Sequence, residues 1–142
     1  MADQRFRFQK LSKYPHLMPA DVAIWERFLE RYTDFYDEVE YDARVGSGIE
    51  PSDDWPEEIK RDVHALTQKR IDAVGYTKSE IDIIEIKPRA STSAIGQVLS
   101  YRELFVRDRK PALPVRGVII TDTLAPDIEE LAEKYEITVI VV

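Results

Sequence analysis

Cysteine is absent from this 142-residue chain, which excludes disulfide frameworks, thiolate metal sites and cysteine nucleophiles. Histidine is nearly absent: His16 and His64 are the only two, and they lie far apart in sequence. Zinc sites and histidine general-base machinery are therefore poorly supplied. No apolar run is long enough to span a bilayer, and the charged N-terminal residues have no hydrophobic stretch behind them. Neither a membrane span nor a signal peptide is expected, so the reading is a cytoplasmic protein. Internal repeats, low-complexity tracts and inter-domain linkers are also lacking.

What is present is a globular composition, 44% hydrophobic and 33% charged, in a length that fits one domain over residues 1–142 and can bury a real core. The net charge of −7 argues against a general polyanion binder, but it is unevenly spread. Residues 69–110 hold nine Lys/Arg against six Asp/Glu, a local +3, so the remainder stands at −10. A polyphosphate ligand could be steered to that basic portion while the rest keeps the protein soluble.

The basic portion contains the most informative stretch. Residues 70–76 and 80–88 are rich in β-branched and aliphatic side chains, and the short Thr77-Lys78-Ser79 turn leaves no room for a crossover, so a β-hairpin is expected. Glu85 and Lys87 are two apart on the second strand and share a face. A turn symmetric about the peptide bond joining Lys78 to Ser79 sets Asp72 opposite Glu85, with Cβ atoms about 4.5–5.5 Å apart. Two partly buried carboxylates that close repel unless something compensates them. A hard divalent cation does so economically, taking one or two carboxylates and filling its shell with water and phosphate. The alternative is a surface pair of Glu85 with Lys87, and Asp72 merely solvated at a strand start. A one-residue slip of register would also move Asp72 to the other face.

In chain order, the segment to Pro19 reads as irregular, draped over the core. A helix follows from Pro19-Ala20-Asp21 to about Tyr36, with Ile24, Trp25, Phe28, Leu29, Tyr32 and Phe35 on one stripe. Glu26 flanks that stripe and Glu30 faces away. Residues 36–45 alternate with period two, a half-buried strand. Gly46-Ser47-Gly48 begins a loop to about Asp54; it lacks the Lys-Ser/Thr of a phosphate-binding P-loop and reads as a plain turn. A short helix spans about 56–66. After the hairpin, Thr92 or Ser93 caps a helix over about 94–107, on which Gln97 and Tyr101, four apart, are neighbours. Their polar groups need partners, either internal backbone or a ligand. Strands at 115–121 and 137–142 bracket a last helix over about 126–135. The order predicts an antiparallel meander extended by helix-linked parallel strands, a mixed α/β sheet with helices on its faces.

That order, with Asp72, then Glu85-x-Lys87, then Gln97-x-x-x-Tyr101, resembles the PD-(D/E)XK nuclease superfamily, and the Gln-x-x-x-Tyr spacing is similar to its RecB-like, phage-type exonuclease branch. The resemblance covers about residues 21–121 and implies a restriction-endonuclease-like αβββαβ core, with the helix and strand over 125–142 appended. It departs from the family pattern at Ile71, which stands where a proline precedes the acid, and in the first-helix glutamate, for which Glu26 is the best candidate. It implies that Asp72 and Glu85, with the backbone carbonyl of Ile86 and with Glu26, hold Mg²⁺ or Mn²⁺. It further implies that Lys87 acts on the attacking water and that Gln97 and Tyr101 complete the catalytic set. Arg89 and Arg102 are candidate phosphate contacts, chosen by position. The implied activity is metal-dependent DNA hydrolysis of exonuclease type, RNA not being excluded. A junction-resolving endonuclease and a non-cleaving binding module are the alternatives, as a homo-oligomer or within a larger complex.

Overall fold

The computed structural model describes residues 4–142. One six-stranded sheet, with spatial order equal to sequence order, carries four helices. Its strands are β1 (Arg5–Arg7), β2 (Glu38–Val45), β3 (Lys69–Tyr76), β4 (Ile81–Arg89), β5 (Val115–Thr123) and β6 (Ile137–Val141), and its helices are α1 (Pro19–Arg31), α2 (Glu57–Thr67), α3 (Thr92–Arg109) and α4 (Pro126–Lys134). The first four strands form the antiparallel meander. α3 and α4 then carry the chain across to β5 and β6, which add in parallel. The mixed α/β architecture is the one expected, with α2 inserted between the first two core strands.

Each face has its own core. α1 lays Ile24, Trp25, Phe28 and Leu29 onto Val39, Tyr41, Ala73, Ile84 and Ile86. The Trp25 indole N–H donates to the Tyr41 hydroxyl at 3.0 Å, so its one polar atom is satisfied in the dry layer. Burying aromatic and aliphatic side chains of this size contributes about 1.5–3 kcal/mol apiece. On the opposite face α3 covers Ile71, Val74, Ile81 and Ile83 with Phe105, and α3 and α4 together cover Ile119 and Ile137. α3 ends at Lys110, which takes a left-handed conformation (φ 45°) and returns its N–H to the Val106 carbonyl.

Two expectations are corrected. α1 stops at Arg31, not near Tyr36, because Tyr32 leaves helical geometry and Asp34 adopts a positive φ of 62°. Tyr36 then folds back, its ring lying where a Cβ on Gly75 would sit 2.5 Å away, and its hydroxyl donates to Asp82 at 2.7 Å. The N-terminal segment is not wholly irregular: Arg5, Phe6 and Arg7 pair with Glu40, Val39 and Glu38 as an edge strand. Phe8 continues inward, edge-on to Trp25, Phe28 and Tyr36.

Candidate active site

The hairpin has the register that places Asp72 against Glu85: Ala73 faces Ile84 and Val74 faces Ile83. The backbone ladder between β3 and β4 ends there. Beyond it the Asp72 carboxylate replaces a strand carbonyl, its Oδ2 accepting the Ile86 N–H at 2.8 Å. A break in the sheet's alternation makes this possible. On β2, Val39 and Tyr41 face α1 but Ala43 and Val45 face α3; on β3, Ala73 faces α1 but Ile71 faces α3. The register passes from Tyr41–Ala73 to Ala43–Ile71 over Asp42 and Asp72, which form no bridge. Asp42 absorbs the flip with φ 52°, a region that Asp tolerates better than most residues. Asp72 is thus released from strand pairing with β2, and its carboxylate turns to the Ile86 N–H of β4.

Glu85 is buried, only 3% exposed. Its Oε1 lies 3.4 Å from the Lys87 ammonium, whose side chain is 36% exposed. Burial first, and then the Asp72 charge, push the Glu85 carboxyl up to about 8, with Lys87 opposing. Asp72 is raised as well, mainly by burial, while the Ile86 N–H pulls the other way. Glu85 Oε2 and Gln97 Oε1 are buried with no hydrogen-bond partner. Two carboxylates are both acceptors, so their facing arrangement needs either a shared proton or a cation.

The donor set fits a hard divalent cation. Among the described residues no three His, Asp or Glu side chains gather into a cage. Two carboxylates, Glu85 with one oxygen unpartnered, and the Ile86 carbonyl would suit an ion that keeps several water or phosphate ligands. Gln97 and Tyr101 are brought to the same place from α3. Burial raises the Tyr101 hydroxyl, the charges of Glu85 and Asp72 add to that, and the Gln97 amide opposes it.

The remaining expected residues are placed less uniformly. Glu26 accepts the Tyr14 hydroxyl at 2.9 Å. The α1 acid that interacts electrostatically with both Asp72 and Lys87 is instead Asp21, in the first helical turn. Burial is the main cause raising its carboxyl, and Lys87 lowers it. Asp21 was legible as a first-turn acid, but only the seating of the helix N-terminus at this end of the sheet reveals its interaction with Asp72 and Lys87. Arg89 ends β4 beside Thr123, exposed and two residues beyond Lys87. Arg102 lies elsewhere, in a groove with Val115, Arg116 and Thr138, level with the start of β4 rather than with Glu85.

No curated protein and no solved structure matches the chain. The model of one protein family does match, over residues 56–141, a span that contains Asp72, Glu85, Lys87, Gln97 and Tyr101 but not α1. That family does not single out the exonuclease branch suggested by the Gln-x-x-x-Tyr spacing. Its restriction-endonuclease-like fold accords with the mixed sheet and the α3 crossover described above, and the chain belongs to the endonuclease NucS C-terminal domain family.

Proposed function

We propose that this chain is a divalent-metal-dependent DNA nuclease domain that hydrolyses phosphodiester bonds internally. The observation that carries the reading is the buried Glu85 carboxylate facing the half-buried Asp72 carboxylate beside Lys87, with one Glu85 oxygen left unpartnered. Endonucleolytic rather than exonucleolytic action is favoured by the family description. Asp72, Glu85 and the Ile86 carbonyl, with Asp21 nearby, would hold Mg²⁺ or Mn²⁺. Such an ion supplies Lewis acidity and a more acidic bound water.

The chain's own groups do the rest. Lys87, partly open to solvent beside Glu85, orients the attacking water and offsets negative charge that develops on the phosphorus centre. As an ammonium it acts as a point charge with rotatable donors rather than a bidentate fork. The Gln97 amide and the Tyr101 hydroxyl form the α3 wall and position a phosphate oxygen. Arg89, exposed at the end of β4, lies where the flanking backbone of a bound strand would run. A non-cleaving DNA-binding module is the second reading, favoured by the overall charge of −7.

Covalently closed circular duplex DNA, incubated with Mn²⁺ and then with EDTA, tests the reading. Nicked or linear product from wild type, and none from Lys87→Ala, is the result expected. Circles that stay intact while linear DNA is degraded from its ends would return the exonuclease reading. Binding without any cleavage would leave the module.

A further inference from the structure

The same break in alternation that frees Asp72 turns a second pair of residues to the α1 side of the sheet. Ala43, Val45 and Ile71 point into the α3 core, so Arg44 and Arg70, which face each other directly in the β2–β3 register, point the other way. Directly opposed residues have Cβ atoms about 4.5–5.5 Å apart, and like charges so placed destabilise an antiparallel pair. One of the two charges is partly answered: Arg70 Nε lies 3.6 Å from Asp42 Oδ1, and Arg70 Nη1 lies 2.9 Å from His16 Nδ1 and 3.3 Å from its Nε2. Arg44 is half-buried and has no hydrogen-bond or ion-pair partner among the described residues. The backbone at both His16 (φ 64°) and Asp42 (φ 52°) is left-handed, so two conformations that L-residues seldom adopt border the cluster.

We propose that Arg44 and Arg70, with His16, form a clamp for a non-reacting phosphate of duplex DNA, next to the phosphate cut at the Asp72/Glu85 site. Arg70 is two residues from Asp72, about 7 Å along a strand. A nucleic-acid strand carries one charge about every 3.4 Å of helix axis, so that reach spans about two axial steps and a bound strand presents a phosphate close to the cut one there. Two planar guanidinium forks suit bidentate contact with phosphate oxygens. Asp42 keeps Arg70 aimed in the absence of DNA. The like-charge opposition that weakens the free sheet is relieved when an anion enters between the two side chains. The clamp rests on the nuclease reading only for its position relative to the cut.

Binding read apart from cleavage separates the two proposals. A fluorescein-labelled duplex is titrated in Ca²⁺ without Mg²⁺ or Mn²⁺, over a range of salt concentrations, with wild type, Arg44→Gln, Arg44→Lys and the double variant Arg44→Gln/Arg70→Gln. Each lost phosphate contact should make the slope of log K against log salt shallower by about 0.9. The expectation is a shallower slope for Arg44→Gln, the full loss of about 0.9 for one phosphate in the double variant, a wild-type slope for Arg44→Lys, and an unchanged slope for the distant charge removal Lys134→Gln. Arg44 has no described partner to lose, so its replacement does not put folding at stake. Equal slopes for wild type and Arg44→Gln would overturn the clamp, even in a protein that cuts DNA. Altered slopes in a protein that never cuts would uphold the clamp and remove the nuclease reading.

Discussion

The carboxylate of Asp72 accepts the backbone N–H of Ile86 at 2.8 Å, so an acid from one strand closes the hydrogen-bond ladder of its neighbour. Asp72 therefore has a structural part beside the proposed metal-binding one, and different substitutions should separate the two. In Asp72→Asn the amide oxygen can still accept the Ile86 N–H and no longer repels Glu85, so the metal-free protein should be as stable as wild type or more so, while cleavage falls to background. In Asp72→Ala the buried N–H loses its partner, at a cost of about 1–3 kcal/mol. Urea denaturation of both variants without metal checks the order.

The pH dependence of stability follows from Glu85. Its carboxyl lies near 8 in the fold against 4.5 ordinarily, so the native state keeps a proton that the unfolded chain has released. Stability is then full below about 4.5 and falls as pH rises towards 8. Asp82, pushed up to about 6 chiefly by burial, adds to the loss below pH 6, so the interval from 6 to 8 reports Glu85 together with Asp72, which burial also raises. Without metal the loss across that interval should be on the order of 2–3 kcal/mol. Glu85→Gln should flatten it, and millimolar Mg²⁺ should reduce it, since the ion displaces the proton. Urea midpoints at pH 6 and 8 measure all three.

Asp21 and Glu26 make a paired test on one helix. Asp21 interacts with Asp72 and Lys87, whereas Glu26 accepts a hydrogen bond from Tyr14. Asp21→Asn should raise the Mn²⁺ concentration needed for half-maximal cleavage by about tenfold, the scale on which supporting groups tune metal sites. Glu26→Gln should leave that concentration unchanged. Metal titrations of cleavage rate decide between them.

At the far end of the hairpin, Gly75 is required by contact with Tyr36. A Cβ there would lie 2.5 Å from the Tyr36 ring, whose hydroxyl holds Asp82. Gly75→Ala should cost about 1–3 kcal/mol through overpacking, visible as a lowered thermal midpoint. Tyr36→Phe should cost less sterically but leave the buried Asp82 without that donor.

The hairpin was legible because strand alternation and a short turn fix a register, and Asp72, Glu85 and Lys87 follow from it. Gln97 and Tyr101 were legible as helix neighbours by their spacing. Asp21 was obscured because helical periodicity reports which face is buried, not which end of the helix meets the site. The flip at Asp42 and Asp72 depends on one residue's positive φ, which leaves the apolar pattern nearly unmarked; Asp42 and Arg44, two apart, simply read as polar positions. β1 left a trace in the alternation of Arg5, Phe6, Arg7 and Phe8, too short to stand against an irregular reading. Arg102 was chosen by its place in the sequence, and the direction of α3 across the sheet carries it away from the carboxylates.

Anomalous diffraction from crystals soaked in Mn²⁺ examines the central claim at its source, the joint grip of Asp72 and Glu85 on one cation. The account predicts a peak within ligand distance of both carboxylates and the Ile86 carbonyl, lost in Asp72→Asn crystals treated alike. Wild-type crystals with no peak there, and with Glu85 still protonated against Asp72, would contradict it.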